Sequence, residues 1–289
     1  LGLKIPNLLD PKTGENMQLA QLVRILPEEL AKQELGVGSY KTNRFVPVPE
    51  SIQSHYESFR PTPLVRAEGL ERSLGLNNVK IFYKREDANR IGSYKLNSSY
   101  AQAHYAKMDG VKEFIGDTGP GNWGLGMALA CKEYSIPAVI YMEEKNYLAK
   151  KEKVDAMRQL GADVRPITTK EGTIAASLSI AVDHVLRSPD NKLSLGCLTA
   201  YSALHNTIIG LELKEQMKEL GIVPDAVIGV VGGGSSFSGL VFPLLEEYRD
   251  KTRFIAIESA SVPSFSKGEY RYENPDLIGL MPRAKMYTL

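Results

Sequence analysis

From residue 79 onward the chain alternates short runs rich in Val, Ile and Phe with longer amphipathic stretches. The apolar runs fall at 79–83, 113–115, 137–142, 163–166, 226–231 and 253–257. They are short and rich in Val, Ile and Phe, consistent with buried parallel strands, which need a long crossover between them. Periodic stretches at 98–108, 123–134, 148–160, 173–186, 204–220 and 238–248 supply the crossovers as helices. Gly161 and Gly221 follow the last periodic residues of two of these, where a helix commonly ends. The pattern predicts an α/β fold with largely parallel sheets. Ahead of it lies a proline-rich arm with one helix near 27–35, opened by Pro27 and two glutamates.

At 289 residues the chain suits one large α/β domain or two intimately joined ones. A net charge of +1 gives no basic footprint for nucleic acid and none for an anionic membrane. No apolar run approaches the length of a membrane span, and no charged-then-apolar leader opens the chain. Cys131 and Cys197 have neither metal-site spacing nor the look of a disulfide framework, so a reducing cytoplasm is expected and no metal site.

Three loops carry chemistry. Lys95 ends the run Arg90-Ile91-Gly92-Ser93-Tyr94-Lys95, just after a Gly-Ser turn and just before a helical pattern. Residues Gly229-Val230-Val231-Gly232-Gly233-Gly234-Ser235-Ser236 bring an apolar strand into three glycines and two serines before a helix. Backbone without Cβ atoms can approach an anion closely, and the amides at the helix start point at it. A tight turn needs one or two glycines, so three plus hydroxyls favour a phosphate cradle. The run lacks the Gly-Lys-Ser/Thr of a nucleotide P-loop and the spacing of a dinucleotide site. A reactive lysine with a single-phosphate cradle suggests a Schiff base to pyridoxal phosphate. Between them Gly116-Asp117-Thr118-Gly119-Pro120-Gly121-Asn122-Trp123-Gly124 offers an acid, a hydroxyl, an amide and several N–H groups, or else a plain helix-capping connection.

Arg60-Pro61-Thr62-Pro63-Leu64, the stretch from Lys84 to Asn97, the Gly116–Gly124 loop and the Gly232–Ser236 loop stand in the order that resembles the tryptophan synthase β chain, a fold type II pyridoxal-phosphate enzyme. The arm at 8–14 and the segments 268–272 and 285–289 are similar to its second branch, which forms no tight α-chain complex. The resemblance implies two three-layer α/β/α domains with the cofactor in the cleft between them. Residues 1–60 and 94–203 would form the N-terminal domain, and 61–93 with 204–289 the cofactor domain. Family members continue beyond the point matching Leu289, so that second domain is expected to be truncated.

Residue by residue, Lys95 matches the lysine that carries the cofactor and shuttles the substrate α-proton. Asp117 matches an acid/base that helps expel the serine hydroxyl. Thr118, Gly119, Gly121 and Asn122 match the loop that grips the substrate carboxylate, with Asn122 also near the cofactor. Gly232, Gly233, Gly234, Ser235 and Ser236 match the phosphate loop, while Tyr94 and Glu258 match positions beside the cofactor. The implied reaction is β-replacement, joining serine or an activated serine such as O-phosphoserine to indole. A homodimer is implied as well, and a monovalent cation is held open.

The pocket departs from the family pattern. Tyr94 stands for histidine, Asp117 for glutamate, Pro120 for a small residue, Asn122 for glutamine and Ser236 for asparagine. Asp117 draws its carboxylate back by one C–C bond, and a misplacement of about 1 Å can cost on the order of a hundredfold in rate. These changes keep other readings in view: β-elimination, β-replacement on another amino acid, or a homologue that binds without turnover.

Overall fold

The computed structural model describes residues 6–168 and 173–289, so the first five residues of the expected arm lie outside the described residues. Elements in chain order are α1 (Leu19–Leu22), α2 (Glu28–Leu35), α3 (Ser39–Thr42), α4 (Glu50–Tyr56), β1 (Leu64–Arg66), α5 (Glu68–Ser73) and β2 (Phe82–Lys84). The central unit follows as α6 (Lys95–Met108), β3 (Glu113–Thr118), α7 (Asn122–Tyr134), β4 (Ala138–Glu143), α8 (Glu144–Ala149), α9 (Lys151–Gln159), β5 (Asp163–Ile167), α10 (Ile174–Val185) and β6 (Asn191–Ser194). The chain continues through α11 (Ala200–Glu219), β7 (Ala226–Val230), α12 (Ser235–Tyr248), β8 (Arg253–Ile257), α13 (Ser264–Lys267), β9 (Glu269–Glu273) and β10 (Ala284–Thr288).

Strands β5-β4-β3-β6 form a parallel sheet in that order. Successive side chains of a strand point to opposite faces, and the apolar set divides accordingly. Phe114, Ile140, Met142 and Val164 pack under α4, α6, α7 and α9 with Tyr100, Met127 and Met157. Ile115, Val139, Tyr141, Ile167 and Leu193 face α10 and the arm, against Val182, Val185, Leu26 and Leu30. Both faces are covered, as a parallel sheet requires. The arm is therefore core material, with Leu30 fully buried.

The second parallel pair is different. Strands β7 and β8 run side by side, with Val227 packed among Leu213, Met217 and Leu244 of α11 and α12. On the opposite face Ile228 is 62% and Val230 70% exposed. Two antiparallel pairs complete the structure. β1 joins β2, and β9, whose Glu269-Tyr270-Arg271-Tyr272-Glu273 alternates charged and aromatic residues, joins β10. The run expected as a strand at 79–83 begins only at Phe82, and it pairs antiparallel rather than within a parallel sheet.

A buried ion cluster joins these parts. Arg60 makes paired hydrogen bonds to Glu212 (2.7 and 2.9 Å) and to Glu86 (3.1 and 3.0 Å), and a further bond to Asn97 Oδ1 at 2.6 Å. Lys84 donates to Glu212 and to the Thr62 carbonyl, both at 2.7 Å. Thr62 donates to Glu86 at 2.6 Å. Burial pulls the other way, but the Arg60 hydrogen bonds hold the Glu86 carboxyl below its ordinary range. The Arg-Pro-Thr-Pro motif and the polar run from Lys84 thus tie β1 and β2 to α11 and to α6, whose first residue is Lys95.

Candidate active site

The chain leaves β3 for β4 and β5, then returns to β6 on the other flank of β3. The order of the sheet reverses there, which opens a crevice at the carboxyl ends of β3 and β6. Lys95, the first residue of α6, reaches that crevice and donates its Nζ hydrogen bond to the carbonyl of Gly196, two residues past β6. Its ammonium lies 5.1 Å from the Tyr94 ring centroid and 6.0 Å from that of Trp123. Trp123 presses on the Gly196 backbone so closely that a Cβ there would fall 2.6 Å from the indole ring. Glycine at 196 is what lets the ring and the lysine share this corner.

Asp117 lies near the end of β3. Burial pushes its carboxyl up to about 7, against its own backbone hydrogen bond and the charge of Lys95, both of which lower it. The group can therefore hold or release a proton near neutrality. The Thr118 hydroxyl accepts from Gly124 N at 3.1 Å and caps α7. Asn122 Oδ1 accepts from Lys153 Nζ at 2.5 Å. Gly119 and Gly121 flank Pro120 in the connection between β3 and α7.

The glycine-rich loop follows β7. Gly232, Gly233 and Gly234 lead into α12, whose first two residues are Ser235 and Ser236. Gly234 takes φ +87°, in the left-handed region, and a Cβ on it or on Gly232 would meet nothing within 4 Å. Ser235 Oγ is buried without a hydrogen-bond partner, whereas Ser236 Oγ donates to the Val230 carbonyl at 3.4 Å. Glu258 follows β8 beside this loop, since Val231 N donates to Ile257 O at 2.7 Å. Its carboxylate is already engaged by Phe265 N at 2.8 Å, by Ser266 N at 2.9 Å and by the Ser266 hydroxyl.

Residue-type reasoning overlooked the segment 196–198, which joins the lysine corner to the glycine loop. A Cβ on Gly233 would lie 2.9 Å from Cys197 Cβ and 3.0 Å from its sulfur. Burial pushes the Cys197 thiol up, with Lys95 pulling it down and Asp117 adding to the rise. Leu198 holds φ 65°, costly for a bulky residue and the kind of strain kept where a backbone must be presented in one way. The one available signal was Gly196 closing the run Lys192-Leu193-Ser194-Leu195. A cavity of about 620 Å³ between the arm and α11–α12 contains none of these groups.

Residues 56–279 match the family model described as pyridoxal-phosphate dependent enzyme. The tryptophan synthase beta chain of Pyrobaculum arsenaticum is 39% identical over 97% of this chain and 71% of its own length. The chain belongs to this family. The tryptophan synthase beta chain 2 of Aquifex aeolicus is 36% identical over 97% of the chain and 68% of its own length. Among solved structures, threonine deaminase isoform 2 from Solanum lycopersicum superposes with TM-score 0.62 at 26% identity, covering 74% of this chain and 55% of that one. Diaminopropionate ammonia lyase of Escherichia coli shares the fold with TM-score 0.61 at 22% identity, over 89% of this chain and 70% of that one. Fold type II and a lyase dependent on pyridoxal phosphate follow from these matches.

The residues present fit that cofactor. The orphaned Ser235 hydroxyl, the open space over Gly232 and Gly234 and the start of the 14-residue helix α12 form a cradle suited to a phosphate. The Lys95 amine bonds Gly196, and Gly233 of that cradle packs on the next residue, Cys197.

Proposed function

We propose that this chain joins serine, or an activated serine, to indole by β-replacement, forming tryptophan. The observation that carries the reading is the arrangement at the switch point. Lys95 is seated on the Gly196 carbonyl, and the glycine loop with its unsatisfied serine packs on the adjoining Cys197. The near-full-length likeness to tryptophan synthase beta chains supports the substrate pair.

Pyridoxal phosphate, when bound, supplies the conjugated ring that accepts the electrons of the substrate Cα–H bond. The chain does the rest. Lys95 would hold the cofactor aldehyde and move the α-proton, and Gly232, Gly233, Gly234, Ser235 and Ser236 would hold the phosphate. Amides of the 118–122 loop orient the substrate carboxylate. Asp117, whose carboxyl titrates near 7, hands a proton to the β-oxygen, which leaves with it, and is restored by the proton that the indole carbon loses after it adds. Trp123 and Tyr94 shield the amine from water by flanking it.

The reading includes two domains, 1–60 with 94–203 and 61–93 with 204–289, the cleft lying between them. It is supported by the separation of the four-stranded sheet from the β7–β8 pair. It also includes a homodimer in a reducing cytoplasm, consistent with two free thiols. Among the described residues no helix is long and apolar enough to cross a membrane. The test is to supply cofactor and indole with serine, O-phosphoserine or O-acetylserine, and to follow tryptophan and pyruvate separately. Tryptophan without comparable pyruvate is expected. Pyruvate alone from serine or threonine would replace the reading with β-elimination.

A further inference from the structure

The basic stretch 145–153 reads in sequence as an exposed helix face, yet Lys153 does not behave as a surface lysine. Its helix, α9, is anchored by buried Val154 and Met157, and the Met157 sulfur sits only 2.5 Å from where a Cβ on Gly124 would be. From that fixed base Lys153 Nζ donates to Asn122 Oδ1 at 2.5 Å and to the Pro120 carbonyl at 3.1 Å. Its stem lies over Gly121, where a Cβ would come within 2.9 Å of Lys153 Cδ.

This puts a cation at the wrong end of a helix. Gly121 is the N-cap of α7 and Asn122 its first residue, and a 13-residue helix presents positive potential there. An ammonium at that end works against the helix dipole, and an anion placed between the two would be attracted by both. Both partners of Lys153 are neutral oxygens, and an ammonium has a third N–H to give. In the same helical turn Trp123 Nε1 is buried, with its residue 5% exposed, and has no hydrogen-bond partner. Lysine can only donate, so it fixes the Asn122 amide with Oδ1 toward itself and leaves Nδ2 as a free donor.

We infer that Lys153 is a positioning and charge-selecting residue for the carboxylate of the amino-acid substrate. It orients the Asn122 amide, ties down the Gly119–Asn122 loop and supplies the positive charge that distinguishes a carboxylate from a neutral group. The inference rests on the proposed function for the identity of the loop's ligand.

The test uses the cofactor-loaded protein and compares L-serine with L-serinamide, which lacks the carboxylate, by titrating the cofactor absorbance. Lys153→Met should weaken serine by about ten- to a hundredfold, the range for a lost bond to a charged group, and serinamide by less than about twofold. K153Q keeps a donor for Asn122 without the charge and should show the same selective loss, while K153R should recover most of it. In steady state the KM for the amino acid should rise while the KM for indole stays. Equal losses for serine and serinamide, or none, would overturn the inference even if tryptophan is made. A wild-type protein that binds serine but makes no tryptophan would sink the proposed reaction and leave this comparison intact.

Discussion

Two polar clusters lie at opposite ends of the first turn of α6, and they are finished to different degrees. Around Arg60, every charged group has its partner: Glu86, Glu212, Lys84, Thr62 and Asn97 close a network in which carboxylates and cations pair at hydrogen-bond distance. Around Lys95, buried polar atoms are left over. Ser235 Oγ and Trp123 Nε1 have no partner, and the Asp117 carboxyl is held near neutrality instead of being paired. Buried polar groups are ordinarily satisfied. The contrast sets a closed structural joint beside a corner that keeps free polar groups suited to a ligand, although both are built from motif residues adjacent in sequence.

The comparison can be broken by substitution. The largest effect is expected from Lys95→Ala, which should lower tryptophan formation by at least about a thousandfold, losing covalent and proton-transfer roles together. Its thermal midpoint without cofactor should stay near that of the parent in calorimetry. Arg60→Met should do the reverse to the joint. It leaves the buried Glu86 without its bonded cation and Glu212 with Lys84 alone, and breaking a buried pair typically costs about 3–5 kcal/mol, readable as a lower urea midpoint. A cleft variant that unfolds as readily, or an Arg60 variant that does not, erases the distinction.

Asp117→Asn sharpens it through pH. A folded-state titration near 7, above the ordinary 3.8, means that the folded chain holds a proton the unfolded chain has released. That contribution is present below pH 3.8 and is lost as pH rises through 7. The asparagine variant should therefore gain in melting temperature over the parent at pH 8 but not at pH 4, while turnover falls. His205, buried and held neutral down to about 3, acts oppositely. Its contribution is full above pH 6.5 and is lost as pH falls from there toward 3, so H205Q should flatten the acid limb of the stability curve. The smallest effect belongs to Ser235→Ala. Removing an unsatisfied hydroxyl should leave the cofactor-free protein unchanged or more stable by up to about 1 kcal/mol, while cofactor affinity measured by fluorescence drops about tenfold.

The parallel core was legible in the sequence because β4, β7 and β8 carry apolar runs and β3 and β5 shorter apolar stretches between turn signals, and all five were expected within a few residues. β6 was not, since Asn191-Lys192-Leu193-Ser194 has one apolar residue and becomes a strand through pairing with β3. Helix starts were read late for a related reason. α6, α7, α11 and α12 begin at Lys95, Asn122, Ala200 and Ser235, one to four residues before the apolar periodicity sets in. Their first turns hold the small and polar residues of the site, which carry no amphipathic signal. The lysine, the acid and the phosphate loop stood out by residue type. Gly196-Cys197, Trp123 and Lys153 act through tertiary contact with those loops, and a linear pattern has no means of marking them.

The most direct test of the account is to reduce the cofactor-loaded protein with borohydride and map the pyridoxyl-bearing peptide by mass spectrometry. The account predicts a single modified residue, Lys95, with no label in Lys95→Ala. Label on another lysine in the wild-type protein, or none on Lys95 at full cofactor occupancy, would contradict it.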